Sequence, residues 1–107
     1  FTQLAMPLMK KLGWPSLFCN ELIVGDDGSI TGYHMRVPES KKTTVKALQS
    51  AGFETIAAGD SFNDIAMMEE SKAGFLFRTT DQIRERYPNF EAFVDYGEFL
   101  DAIKKVL

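Results

Sequence analysis

Cysteine is nearly absent. Cys19 stands alone in 107 residues, which excludes an internal disulfide framework and a cysteine-rich zinc site. His34 has no second imidazole with which to share a metal. No apolar run approaches the roughly 20 residues a membrane helix needs. A secretory leader is not expected. Charge of one sign is missing too: twelve basic against fifteen acidic residues leave a formal charge of −3. Without a basic footprint, nucleic acid is not an expected partner. Repeats, linkers and low-complexity segments are absent, and so is an initiating methionine. The chain opens Phe1-Thr2-Gln3 and runs straight into a helical pattern, which we read as truncation of a longer protein. Together these absences predict a reducing, cytoplasmic setting and no membrane partner.

What is present suits a folded domain. Hydrophobic residues make up 45% and charged residues 25%. A chain of this length forms one domain, residues 1–107, around one modest core. Leu4 to Leu12 reads as a helix closed by Gly13, and Pro7 places its start close to Leu4. Leu17-Phe18-Cys19 reads as a short buried strand. Glu21 to Val24 and Ser29 to Tyr33 flank an Asp-Gly turn and predict a β-hairpin. A helix follows over Lys41 to Ala51, capped by Ser40 and lined by Val45 and Leu48. Then strands at Glu54–Ala58, Ala73–Phe77 and Ala92–Val94 alternate with helices at Asn63–Ser71, Thr80–Tyr87 and Tyr96–Val106. That alternation predicts an α/β fold: a Rossmann-like parallel sheet, helices on both faces, and one hairpin. Ligands of such sheets sit beyond the carboxyl ends of the strands.

The chemistry concentrates there. Gly59-Asp60-Ser61-Phe62-Asn63-Asp64 follows an apolar strand and opens a helix. Asp60 and Asp64, four residues apart, are near enough to share a site. Carboxylates at a sheet crevice suit a hard cation such as Mg²⁺, which takes one or two carboxylates plus water and phosphate. The plainer alternative is a capped helix with Asp64 favouring its dipole. Lys41-Lys42 opens the preceding helix, where cations oppose the dipole. Such rule-breaking marks functional sites, and a lysine there would neutralise a phosphate or a carboxylate. Arg78 follows a strand, from which it could face the crevice, but an exposed surface arginine is the expectation. Cys19 is expected in the interior, and Arg84, Glu85 and Arg86 on a solvated helix face.

GDSFNDIAMM resembles the GDxxNDxxM motif of the haloacid-dehalogenase-like phosphatases. It is most similar to the phosphoserine phosphatase and phosphoserine:homoserine phosphotransferase type. The resemblance covers nearly the whole chain. Phe1 with Pro7-Leu8-Met9 and Leu12-Gly13 resembles the helix after that family's second motif. LIVGDDGSITGY resembles its hairpin, Lys41-x-x-x-Val45-x-x-Leu48 its lysine motif, and Ala73-Gly74 opens a strand at the expected place. The order of lysine helix, strand, GDSFND, helix and AG-strand is the specific part.

The resemblance implies the carboxyl-terminal part of that family's core. It implies an Mg²⁺-dependent phosphomonoester hydrolase or phosphotransferase working through an aspartyl-phosphate. Asp60 would ligate Mg²⁺. Asp64 would orient a metal-bound water and pair with Lys41. Lys41 would hold the phosphate and the nucleophile, with Lys42 as runner-up, and Asn63 would bind substrate. The substrate would be a small ester such as phosphoserine, with homoserine a possible acceptor. The family's DxDxT nucleophile motif and helical cap are absent. Asp26-Asp27-Gly28-Ser29 has the wrong spacing and sits in a turn, so the nucleophile is expected in a missing amino-terminal half. Without that half the segment is expected to be inactive. The alternatives are a non-catalytic α/β module binding phosphate or metal, and a receiver-like signalling domain.

Overall fold

Local turn and cap chemistry builds the first forty residues, and a buried sheet builds the rest. The computed structural model describes Phe1–Leu107, which divides into two units, Phe1–Ser40 and Lys41–Leu107.

In the first unit, helix α1 (Thr2–Lys11) closes where Gly13 takes a φ of 77°. That turn lets the Trp14 N–H donate back to the Met9 carbonyl at 2.8 Å, as a glycine past the last helical residue permits. The helix starts two residues before Leu4, so Pro7 lies in its interior and not in the first turn. The start is pinned from outside: the Thr2 N–H and hydroxyl both reach the Asn20 carbonyl, at 2.8 and 3.2 Å. The strand expected at Leu17–Cys19 does not form. Those residues join no ladder, and Phe18 is exposed. Cys19 is half-buried, with its Sγ 3.2 Å from Thr2 Oγ1. Strands β1 (Glu21–Val24) and β2 (Ile30–His34) form the expected antiparallel hairpin. Gly28, at φ 82°, makes its turn. Asp27 Oδ1 braces it by accepting from the Ser29 N–H at 3.0 Å and the Ser29 hydroxyl at 2.6 Å. No residue of this unit is buried.

In the second unit, α2 (Ser40–Ser50) precedes β3 (Ile56–Gly59). A 3₁₀ turn at Phe62–Asp64 leads into α3 (Ile65–Glu70). Then come β4 (Ala73–Phe77), α4 (Asp81–Arg86), β5 (Glu91–Phe93) and α5 (Tyr96–Val106). Side-chain caps start the last two helices: Thr80 accepts from the Ile83 N–H, and Asp95 from the N–H groups of Gly97 and Glu98. The strands are parallel in the order β3-β4-β5.

The alternation along β4 sorts the layers. Leu76 points to one face, where it packs with Ala57, Ile65, Met68 and Ile83 from β3, α3 and α4. Phe75 and Phe77 point to the other face and meet Phe99 of α5, at ring separations of 6.0 and 4.8 Å. Helices therefore cover both faces, as the sequence predicts. Truncating Leu76, which is fully buried, would cost about 2–5 kcal/mol. Strand β3 has a ladder partner on one side only, and Ala58 is exposed.

Candidate active site

The carboxyl ends of β3 and β4 bring the candidate residues together. Gly59 ends β3, and Asp60 and Ser61 turn the chain into the 3₁₀ turn that ends at Asp64. Gly59 is required sterically. A Cβ there would lie 2.3 Å from Asp64 Cβ and 2.6 Å from its Oδ2.

Asp64 is the buried charged residue of the chain. Its Oδ2 accepts from the backbone N–H groups of Asp60 and Ser61, both at 3.1 Å, and from Ser61 Oγ at 2.9 Å. Its Oδ1 accepts from Lys41 Nζ, which reaches it from the first turn of α2. Burial pushes the Asp64 carboxyl up, but the hydrogen bonds from Lys41 and Ser61 and the Lys41 charge outweigh it. The net effect holds the group below the usual carboxylate value. The pair is asymmetric, since the Lys41 side chain is about half exposed while Asp64 is covered. An ammonium at the surface is thus held in place by a carboxylate that cannot move.

Asp60 differs from Asp64. It is exposed, and its carboxylate has no protein partner; only its backbone is engaged. Its N–H donates to Asp64, and its carbonyl accepts from Thr79 Oγ1 at 2.6 Å. The donor set available to a metal is therefore one free carboxylate, and no group of three histidine, cysteine or acidic side chains converges anywhere. Such a set fits Mg²⁺, which keeps several waters, and does not fit a metal that needs a closed protein cage. His34 belongs to no such cluster.

Of the residues singled out from sequence, Lys41, Asp60 and Asp64 meet. Asn63 is exposed on the same turn, with Oδ1 against Ser61 Oγ. Lys42 makes no ion pair. Two further roles emerge only from the fold. Gly59 enforces the close approach of Asp64, and Thr79 ties the end of β4 to the Asp60 loop. A polar residue just past an apolar strand was the available signal for Thr79. A cleft of about 370 Å³ opens beside Asp60, between Ala58, Gly59, Phe77, Arg78 and Phe99. The expected solvated face of α4 is partly occupied: Arg86 lies over the Phe62 ring at 5.7 Å.

No helix is long and apolar enough to cross a membrane. No family model matches the chain. Curated proteins do. Phosphoserine phosphatase ThrH of Pseudomonas aeruginosa is 37% identical over 111 aligned positions, covering 100% of this chain and 54% of the relative. Phosphoserine phosphatase of Pseudomonas syringae pv. tomato is 37% identical over 98, covering 92% of this chain and 41% of the relative. The chain spans about half the length of the curated relatives it matches. Over its whole length, then, the chain is similar to a protein named phosphoserine phosphatase, the type its motifs resemble.

Proposed function

We propose that this chain supplies the metal- and lysine-bearing carboxyl-terminal part of an Mg²⁺-dependent phosphomonoester hydrolase acting on phosphoserine or a similarly small phosphorylated amino acid. One observation carries the reading. A buried Asp64, locked by Lys41 and by the Asp60–Ser61 backbone, sits directly behind an uncommitted Asp60 carboxylate. The names of both relatives support the substrate class.

In this reading Asp60 holds Mg²⁺, and the ion, when bound, neutralises charge on the phosphate. Asp64 fixes the Asp60 loop and aims the Lys41 ammonium at the phosphate and the attacking group, where a preorganised charge favours the transition state. Asn63, exposed beside them, hydrogen-bonds the substrate. The attacking carboxylate belongs to a part of the protein beyond these residues. Its oxygen bonds to phosphorus, the ester oxygen leaves and takes a proton, and water then cleaves the acyl phosphate. An acceptor hydroxyl such as that of homoserine replaces the water in the transferase variant. Asp27 of the hairpin turn is already engaged, since its Oδ1 accepts from the N–H and hydroxyl of Ser29. A cytoplasmic setting belongs to the same proposal.

Asp60→Asn in the complete protein tests this. It keeps the size of the side chain and removes the charge an Mg²⁺ site needs. Phosphate release from phosphoserine should fall by orders of magnitude while the melting temperature holds. Near wild-type turnover at limiting Mg²⁺ would remove Asp60 from the site.

A further inference from the structure

Asp60 offers an exposed carboxylate without a protein partner, yet its backbone is gripped from two sides. Its N–H and that of Ser61 donate to Asp64 Oδ2, both at 3.1 Å. Its carbonyl accepts from Thr79 Oγ1 at 2.6 Å. A peptide group is planar, so the unit joining Asp60 to Ser61 turns as one plate. Asp64 holds the N–H edge of that plate, and Thr79 holds the carbonyl edge. A plate held at one edge can still pivot about its hydrogen bond, whereas a plate held at both cannot. The Cβ of Asp60 therefore leaves the loop in a fixed direction, and only the side-chain torsions remain to aim the carboxylate.

Thr79 can hold its edge because it is itself held. On one side Arg78 takes a φ of 53°, a left-handed conformation uncommon for a long side chain. Strain of this kind persists only where the surroundings enforce it. Here they do. The Arg78 N–H donates to the Phe93 carbonyl at 2.8 Å, and its Nε donates to the Val94 carbonyl at 3.1 Å. Its guanidinium carbon rests on an aromatic platform, 4.5 Å from the centroid of Tyr96 and 5.1 Å from that of Phe77. On the other side Thr80 caps α4 by accepting from the Ile83 N–H. The half-buried Thr79 is thus presented from a backbone fixed before and after it.

We infer that Thr79 is a positioning residue, which acts through the Asp60 peptide to keep the Asp60 carboxylate aimed for a divalent cation. The inference rests on the metal role proposed for Asp60 and deepens it: a hydroxyl from beyond the neighbouring strand completes the grip that Asp64 begins. Removing a group that orients a metal ligand typically costs about 10–100-fold in metal affinity. Thr79 reaches Asp60 through the backbone and not the carboxylate, which puts its effect at the low end of that range.

The test titrates the complete protein with MgCl2 by calorimetry, without substrate. Thr79→Val keeps the shape of the side chain and removes the hydroxyl. The Mg²⁺ dissociation constant should rise about tenfold while the melting temperature holds. Thr79→Ser returns the hydroxyl and should return most of the affinity. In steady-state kinetics on phosphoserine, the Mg²⁺ concentration for half-maximal rate should rise by a larger factor than kcat falls. An unchanged Mg²⁺ constant in Thr79→Val, or no recovery in Thr79→Ser, would overturn the role of Thr79 alone. Asp60→Asn separates that failure from a deeper one. A wild-type protein that binds no Mg²⁺, or binds it no better than Asp60→Asn, would overturn the metal reading and the inference with it. Should Thr79→Val fail to fold, Thr79→Ala must show the same rise, and its absence there counts against the proposal.

Discussion

Two aspartates in this chain use the same hydrogen-bond chemistry to different ends. In the hairpin, Asp27 accepts from the N–H and hydroxyl of Ser29. In the loop after β3, Asp64 accepts from the N–H and hydroxyl of Ser61. Both carboxyls are held below their usual value, Asp27 chiefly by its serine and Asp64 by hydrogen bonds that overcome burial. Asp27 lies in water, in a unit with no buried residue. Asp64 is buried past the carboxyl end of β3, in a unit with its own core, and gains a lysine besides. Burial, and not the local motif, turns a turn-former into the anchor of a site. Polar loop chemistry needs a rigid layer behind it before it can place a charge.

The comparison can be broken most sharply at the lysines. Lys41→Ala should lower turnover of phosphoserine by about 10²–10³-fold, as removing a preorganised charge does. Lys42→Ala should change it little, as for a residue without an ion pair. Steady-state kinetics on the complete protein decide the matter, and the reverse ranking would move the role by one residue.

The aspartates themselves come next. Asp64→Ala should cost about 3 kcal/mol of stability, because two backbone N–H groups and a hydroxyl lose a buried acceptor. Asp27→Ala should cost far less. Urea unfolding of both variants measures the difference. The sign of the pH effect follows from the lowered carboxyl. The Asp64 contribution is fully present above the unfolded value of about 3.9 and is lost as pH falls through the still lower folded value. Stability attributable to Asp64 should therefore be flat from neutrality to about pH 4.5 and decline only below that.

The glycines give the smallest contrast. Gly59→Ala drives a Cβ into Asp64 and should cost about 2–3 kcal/mol and displace the loop. Gly28→Ala meets nothing within 4 Å and should cost about 1 kcal/mol, from its φ of 82° alone. Equal losses would mean that the Asp64 approach is not tight.

Where the chain's own pattern decides, the sequence was legible. β4 and α5 have the limits read from them, because an apolar run and an Asp95 cap define them locally. The Lys41–Asp64 pair was reachable through the order of the motifs. Leu17–Cys19 was misread because apolar composition alone does not supply a ladder partner, and Pro7 misled because Thr2 is held by Asn20, far along the chain. Thr79 and the Arg78 platform were invisible for the same reason. Their partners, Asp60, Phe93, Val94 and Tyr96, are brought near by folding and are not marked by spacing.

The central claim is that these residues hold and position the phosphate while another part of the protein attacks it. Inorganic phosphate released from phosphoserine measures this directly. It should be followed with the 107-residue chain alone and with the complementary part of the protein supplied in trans or fused. The account predicts no turnover from the chain alone and Mg²⁺-dependent release when the complement is added. Robust turnover by the chain alone, abolished by changing Asp26 or Asp27, would contradict it and make the hairpin acid the nucleophile.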